Sequence, residues 1–161
     1  AHTNTTIPVG ESTVARFGQG KDVPAIAMAH EIPYVATATV AELRDLEAKV
    51  RRAMEFRGAR YIQILVPCPL GWGHPSADTI RMARLAGETG LFPVFEAEHG
   101  TVTHVSKIKH KLPVEEYLRR QQRFAHLFKT PQRTDIIERI QQLADRNIRR
   151  YRLLDNVERR A

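Results

Sequence analysis

The chain has little cysteine: its 161 residues include a single one, Cys68. One thiol excludes an intramolecular disulfide framework and a metal site built only from this chain's cysteines. No apolar run reaches the roughly 18 residues that a membrane span needs, and no basic start followed by an apolar stretch indicates a secretory signal. We therefore expect a protein of the reducing cytoplasm that does not enter a membrane.

Several familiar catalytic motifs are also absent. The sequence contains no phosphate-binding loop, no dinucleotide fingerprint and no Gly-x-Ser-x-Gly elbow, and no pair of carboxylates stands out for acid–base chemistry. His99 and His104 are five residues apart, and a zinc site with His74 and Cys68 would rest on weak spacing. Scattered core and surface histidines are the favoured interpretation. Residue patterns alone therefore reveal no active site.

Charge is distributed unevenly along the chain. Residues 1–100 carry 10 Lys and Arg against 11 Asp and Glu, whereas residues 101–161 carry 15 against 7, a net charge of +8. A basic segment favours an acidic partner, which can be a nucleic acid, an acidic protein or a neighbouring subunit. A solvated helix surface explains the same charge equally well.

Periodicity divides the chain into a loop followed by alternating elements. Residues 1–20 show neither helical nor strand periodicity, and with Ala1 in place of an initiator methionine we expect the chain to continue an upstream part. The segments that follow predict helices over 22–31, 41–57 and 77–89, strands over 33–39, 60–66 and 91–96, and a hairpin partner over 100–108. This order predicts an α/β fold with a mostly parallel sheet.

Two segments carry patterns with consequences for packing. The run Arg60–Val66 is almost continuously apolar, which is typical of an interior strand buried on both faces. The helix over 41–57 has an apolar face formed by Leu43, Leu46, Val50, Ala53 and Met54, and Gly58 is its expected C-cap.

The last third predicts two helices, over 113–128 and 135–157. The second has a long apolar stripe formed by Ile137, Ile140, Ala144, Ile148, Tyr151 and Leu154. We expect this stripe to be too long for its own domain to cover and to contact another subunit. The arginines that flank the stripe would then form ion pairs with carboxylates at the rim of that interface.

Cys68 is the most informative single residue. It lies just past an apolar strand, between Pro67 and Pro69, where the carboxyl ends of α/β strands commonly form ligand sites. The prolines restrict the backbone, Gly71 and Gly73 would let it approach a bulky group, and Trp72 would shield that group from water. A thiolate metal ligand fits these features, and a small buried hydrophobe remains the alternative.

Five segments in one order resemble a known family. They are 17–22 (Phe-Gly-Gln-Gly-Lys-Asp), 29–38 (Ala-His-Glu-Ile-Pro-Tyr-Val-Ala-Thr-Ala), 67–72 (Pro-Cys-Pro-Leu-Gly-Trp), 85–90 (Leu-Ala-Gly-Glu-Thr-Gly) and 113–118 (Pro-Val-Glu-Glu-Tyr-Leu). Together they resemble the C-terminal half of the thiamine-diphosphate-binding beta subunit of 2-oxoacid:ferredoxin oxidoreductases of the pyruvate synthase type. The similarity runs from about residue 14 to 128.

The resemblance implies a reaction and a set of partners. Enzymes of this family decarboxylate a 2-oxoacid on thiamine diphosphate with magnesium, pass the acyl group to coenzyme A and release electrons through [4Fe-4S] clusters. Other subunits, and ferredoxin or an NAD-linked electron-transfer subunit, are the implied partners. Cys68 matches the fourth cysteine of the cluster nearest thiamine, so the resemblance implies that it is a metal ligand.

The resemblance also implies that much is missing from this chain. The family's three early cysteines, its Gly-Asp-Gly motif and its magnesium segment are absent, so no thiamine or magnesium ligand can be assigned. The implied domains are a loop near the cofactor (1–20), the C-terminal half of the thiamine-binding α/β domain (21–112) and a helical extension with a subunit contact (113–161). We expect this chain alone to be inactive and unable to fold autonomously.

Two other functions remain as alternatives at this point. The +8 segment is compatible with a basic nucleic-acid-binding module, although it lacks interleaved aromatic residues and any recognised binding motif. A non-catalytic assembly module, with its last helix packed on a neighbour, is the other. We expect no nucleic-acid partner.

Overall fold

The structure, a computed structural model, describes residues 21–155. The predicted loop 1–20 and the end of the chain, 156–161, lie outside the described residues. The helices are α1 (Val23–Ala29), α2 (Leu43–Glu55), α3 (Pro69–Trp72), α4 (Thr79–Glu88), α5 (Val114–Leu118) and α6 (Thr134–Tyr151), with 3₁₀ segments at Ser76–Asp78 and Gln122–Phe128. The strands are β1 (Tyr34–Thr39), β2 (Arg60–Leu65), β3 (Phe95–Glu98) and β4 (Thr101–Val105).

The four strands form one sheet in the order β2-β1-β3-β4. β1 and β2 are parallel, whereas β3 is antiparallel to both β1 and β4. The α/β class and the helical extension are confirmed, but the described sheet is mixed rather than mostly parallel. The connection from β2 to β3 contains α4, which packs with α5 and α6 in one core cluster.

The first two helices show how local chemistry sets helix ends. Asp22 accepts a hydrogen bond from the Ala25 amide at 3.1 Å, which caps α1 as its sequence predicts. Gly58 is not the C-cap of α2, which ends at Glu55. Phe56 leaves the helix in an extended conformation, and its ring stacks on Tyr34 with 5.2 Å between ring centroids.

The helix predicted over 113–128 is broken in two. α5 ends at Leu118, Gln121 is extended, and a 3₁₀ segment follows. The Gln121 side chain is buried and donates to the Tyr117 carbonyl at 2.8 Å. The amide side chain thus satisfies a carbonyl that the next helical turn would have bonded, which lets the chain turn here.

The apolar stripe of α6 is covered by the chain itself. Ile137 and Ala144 pack with α4 and α5 in one core cluster, and Ile148 and Tyr151 pack against the sheet in another. The helix ends at Tyr151, where Arg152 is left-handed, so it is also shorter than predicted. The expectation that this domain leaves the stripe uncovered is wrong, because α4, α5 and the sheet pack against it.

Helix α2 presents its apolar side outward. Leu43, Val50 and Met54 are exposed, whereas Lys49 is buried. The Lys49 ammonium donates to Asp45 at 2.6 Å and to the Thr37 carbonyl at 3.0 Å, which satisfies its charge beneath the helix. Of the predicted stripe, only Ala53 is fully buried.

The described part of the chain has no helix that is both long and apolar enough to cross a membrane.

Candidate functional site: the Cys68 loop

Cys68 lies at the carboxyl end of the parallel pair β1 and β2. Thr39, the last residue of β1, is in register with Leu65, the last residue of β2, and the loop begins directly after it. Pro67 is buried and fixes the start of the loop, whereas Cys68 is exposed. The alternative of a small buried hydrophobe therefore does not describe this cysteine. Its position is the one at which open α/β sheets bind ligands.

The thiol is oriented by a short helix. Cys68 is the N-cap of α3, and its Sγ accepts a hydrogen bond from the Gly71 amide at 3.4 Å. Pro69 occupies the first turn, where its missing N–H costs no hydrogen bond. These local features hold the sulfur at the surface in one direction, as a ligand to a group outside the chain requires.

Gly73 anchors the loop to the helical extension. It is left-handed, with φ of 69°, and a Cβ here would lie 2.5 Å from Gln122 Cβ. The Gln122 amide donates to the Gly73 carbonyl at 3.1 Å. The close approach expected at this glycine is therefore to the chain's own 3₁₀ segment, whereas the expectation was a bulky group.

Trp72 anchors the loop instead of shielding the thiol. The Arg123 guanidinium lies over the Trp72 ring, 4.0 Å from its centroid. The Trp72 and Tyr117 rings form a T-shaped pair with 6.5 Å between their centroids. The indole is thus engaged on the side of the core, and Cys68 remains exposed.

Arg123 is the residue of this region that sequence patterns missed. It donates to Gln121 Oε1 at 2.7 Å and to the Tyr117 hydroxyl at 3.3 Å. Burial lowers the pKa of Arg123, and burial raises the pKa of Tyr117 against the opposing effect of the neighbouring guanidinium. Arg123 and Trp72 are 51 positions apart in the sequence, so no local motif could have linked them.

The histidines do not join the thiol. His74 is buried, with Nδ1 2.9 Å from the Pro75 carbonyl and no protein partner for Nε2. His99 occupies the β3–β4 turn, and His104 on β4 lies opposite Glu96. Within residues 21–155 no three His, Cys, Asp or Glu side chains are grouped to hold a metal ion. The donor present fits one ligand of a centre shared with another part of the protein.

Ion pairs within the chain engage part of the basic segment. Arg150 bonds Asp22 at 3.0 Å, Lys111 bonds Asp145 at 2.7 Å, and Arg133 bonds Asp135 at 3.0 Å. The hydrogen bond from Arg133 lowers the pKa of Asp135 below its usual value. These contacts favour the interpretation of a solvated, internally paired surface over that of a nucleic-acid site.

Comparison with known proteins extends the resemblance. No protein-family model matches the chain. It is 44% identical over 149 residues to the pyruvate synthase subunit PorB of Methanosarcina barkeri, covering 92% of this chain and 50% of that protein. It is 42% identical over 141 residues to PorB of Methanocaldococcus jannaschii, covering 88% of this chain and 46% of that protein.

The chain is also similar to a relative that is named for a different 2-oxoacid. The ketoisovalerate oxidoreductase subunit VorB of Pyrococcus abyssi is 39% identical over 127 residues, covering 78% of this chain and 41% of that protein. The chain therefore spans about half the length of the curated relatives that it matches. The resemblance seen in the sequence is confirmed, and the chain belongs to the family of these oxidoreductase subunits, of which it spans about half.

Proposed function

We propose that the chain is part of the beta subunit of a 2-oxoacid oxidoreductase. The enzyme decarboxylates a 2-oxoacid oxidatively, transfers the acyl group to coenzyme A and passes electrons through [4Fe-4S] clusters. Relatives named for pyruvate and for ketoisovalerate support a 2-oxoacid as the substrate class. The nucleic-acid alternative is not favoured, because the relatives that cover most of this chain are oxidoreductase subunits.

The observation that carries the proposal is the exposed, oriented thiol of Cys68. A [4Fe-4S] cluster requires four thiolate ligands, and this chain supplies one at the carboxyl edge of its parallel strands. The other three belong to the part of the subunit that this chain does not span. The Gly71 amide that bonds Sγ would remain available to a cluster-bound sulfur, and such bonds tune cluster potentials.

The remaining cofactors are assigned to the enzyme and not to particular residues of this chain. Thiamine diphosphate, held with magnesium, supplies carbanion stabilisation when bound. We assign its ligands to the missing half, and by resemblance we place residues 1–20 near it. The chain alone is inactive, and the assembled enzyme works in the cytoplasm with its other subunits and with ferredoxin or an NAD-linked subunit as electron acceptor.

Replacing Cys68 by Ala in the assembled complex tests the proposal. We expect the variant to lose one cluster or convert it to a three-iron form, because one of four ligands is gone, while thiamine diphosphate still binds. Iron analysis and the EPR spectrum of the reduced enzyme measure the cluster, and calorimetric titration measures thiamine binding.

The matched control is Ser76→Ala, an exposed position at the start of the 3₁₀ segment that follows the loop. It should retain the full iron content and the parental spectrum. Unchanged iron and an unchanged spectrum in Cys68→Ala would show that the cysteine is not a ligand, whatever the effect on activity.

A further inference from the structure

The loop that carries Cys68 has little support of its own. Its helix α3 has only four residues, which is too few for a helix to be stable without tertiary contacts. Cys68 is exposed and Leu70 is 96% exposed, so neither side chain holds the loop against the described part of the chain. The direction of the thiol therefore depends on what holds the other end of α3.

Trp72 and Gly73 hold that end of the helix. The Trp72 amide donates to the Cys68 carbonyl at 3.0 Å, which joins the two residues through a single helical turn. The Gly73 amide donates to the Pro69 carbonyl at 2.9 Å, and the Gly73 carbonyl accepts from the Gln122 amide. Because Trp72 and Cys68 belong to one short turn, a shift of the indole moves the cysteine as well.

The Arg123 guanidinium contacts two aromatic rings and two polar side chains. It lies 4.0 Å from the centroid of the Trp72 ring and 4.6 Å from that of Phe124. It also donates to Gln121 Oε1 at 2.7 Å and to the Tyr117 hydroxyl at 3.3 Å. Gln121 and Tyr117 are buried, so these bonds fix the plane of the guanidinium. Arg123 thereby fixes the indole relative to α5 and the 3₁₀ segment.

We propose that Arg123 is a positioning residue for the cluster ligand Cys68. Its guanidinium holds Trp72 against the helical extension, Trp72 holds α3, and α3 sets the direction of Sγ at its N-cap. The inference rests on the proposed function, in which Cys68 binds a [4Fe-4S] cluster. Arg123 acts on that cluster through Trp72 and α3, and a direct contact with the cluster is not part of the assignment.

Arg119 provides a matched control in the same part of the chain. Its guanidinium lies 4.2 Å from the centroid of the Phe128 ring, so it makes the same kind of contact as Arg123. Arg119 is exposed, and Phe128 belongs to the 3₁₀ segment and not to the Cys68 loop. Replacing Arg119 therefore weakens a cation–π contact within the helical extension while leaving Trp72 in place.

Hydrogen exchange in the purified complex tests whether Arg123 holds the loop. Arg123→Lys keeps the charge and an aliphatic stem, so the fold should be retained, but it loses the planar stacking and the forked donors. We expect the Trp72 and Gly73 amides, which bond within the loop, to exchange about tenfold faster than in the parent. Arg119→Lys should leave both amides unchanged. Equal exchange of these amides in the two variants overturns the proposal.

The cluster provides the second readout. A thiolate that is held less firmly should change the EPR spectrum of the reduced cluster and let an added chelator remove iron at least about tenfold faster. Arg123→Lys should show both changes and Arg119→Lys neither, and Arg123→Lys decides the matter even where the more disruptive Arg123→Gln does not fold.

The two assignments fail in different ways. Iron loss in Cys68→Ala together with a parental spectrum and parental iron release in Arg123→Lys overturns the positioning role alone. Retained iron in Cys68→Ala overturns the ligand assignment on which that role rests. Faster exchange of the loop amides in Arg123→Lys would then show that Arg123 anchors a loop without a cluster ligand.

Discussion

Helices α2 and α6 have similar amphipathic sequences and opposite environments. The stripe of α6 is buried by α4, α5 and the sheet, whereas the stripe of α2 is exposed and a lysine is buried in its place. The sequence pattern led us to expect the reverse, with α6 as the interface helix. An apolar stripe predicts that a face will be covered, but it does not predict whether the same chain or a partner covers it.

The difference arises from what surrounds each helix. α6 contributes residues to two core clusters, one shared with α4 and α5 and the other shared with the sheet. α2 packs mainly on β1, and its Arg52 also bonds Glu98 of β3 at 3.0 Å. Within residues 21–155, Leu43, Val50 and Met54 on its outer flank remain exposed. Four predictions test this contrast, from the largest expected effect to the smallest.

The largest effect is expected where α6 meets the sheet. Ile148 is 3% exposed and packs with Phe95 and Tyr151. Ile148→Ala should lower the opening free energy of α6 by about 2–5 kcal/mol, through lost contacts and the cavity that remains. Hydrogen exchange of the α6 amides in the purified complex measures this. Met54→Ala should change the same amides by less than about 0.5 kcal/mol, and equal losses would remove the contrast between the helices.

The next effect concerns the buried lysine of α2. Lys49 is 1% exposed, and its partner Asp45 is 28% exposed. Asp45→Asn should cost about 2–3 kcal/mol, somewhat less than for a fully buried pair, because a neutral amide then replaces the carboxylate that balances the charge of this buried ammonium. The apparent melting temperature of the complex should fall. The control is Glu47→Gln, which breaks the exposed ion pair with Arg51 and should hardly change the melting temperature. An equal fall in both variants would show that Lys49 needs no counter-ion.

Two glycines near the end of α4 test the packing against α6. Gly90 is left-handed, and an added Cβ would lie 2.7 Å from Ile148 Cγ1. Gly90→Ala should therefore cost about 1–3 kcal/mol through strain and overpacking. Gly87, within α4, has nothing within 4 Å of such a Cβ, so Gly87→Ala should gain about 0.5–1 kcal/mol. Hydrogen exchange of α4 checks both signs, and a stabilised Gly90→Ala would contradict the close contact.

The smallest effect is expected at the arginines of α6. Arg150 and Asp22 are each about half exposed, so their ion pair contributes little. Arg150→Gln should change the opening free energy of α6 by less than about 0.5 kcal/mol and leave the complex assembled. Tyr151→Asp, in contrast, should disrupt the fold itself, because Tyr151 stacks on Phe95 at 4.6 Å between ring centroids. Light scattering after size-exclusion chromatography would contradict us if Arg150→Gln dissociated the complex.

Local chemistry made much of the fold predictable. Hydrophobic periodicity located the long helices and strands β1, β2 and β4, and the Asp22 cap was predicted from its residue type. The strand predicted over 91–96 is instead β3, Phe95–Glu98, and the short helix α3 was not predicted. The position of Cys68 at the end of a strand also followed from sequence, because prolines on both sides stop a strand. The break at Gln121 did not follow, since it depends on a buried side chain that bonds a carbonyl one turn back.

What the sequence by itself determined is therefore the α/β class, the family and the one residue that matches a cluster ligand. Tertiary structure decided which apolar stripe is buried, which strand forms an edge, and that Trp72 packs on Arg123 rather than over the thiol. The physical reason is that hydrophobic periodicity shows which face of a helix or strand must be buried away from water. Only the placement of distant segments determines which neighbour removes it from water, and within residues 21–155 no segment covers Leu43, Val50 and Met54 of α2.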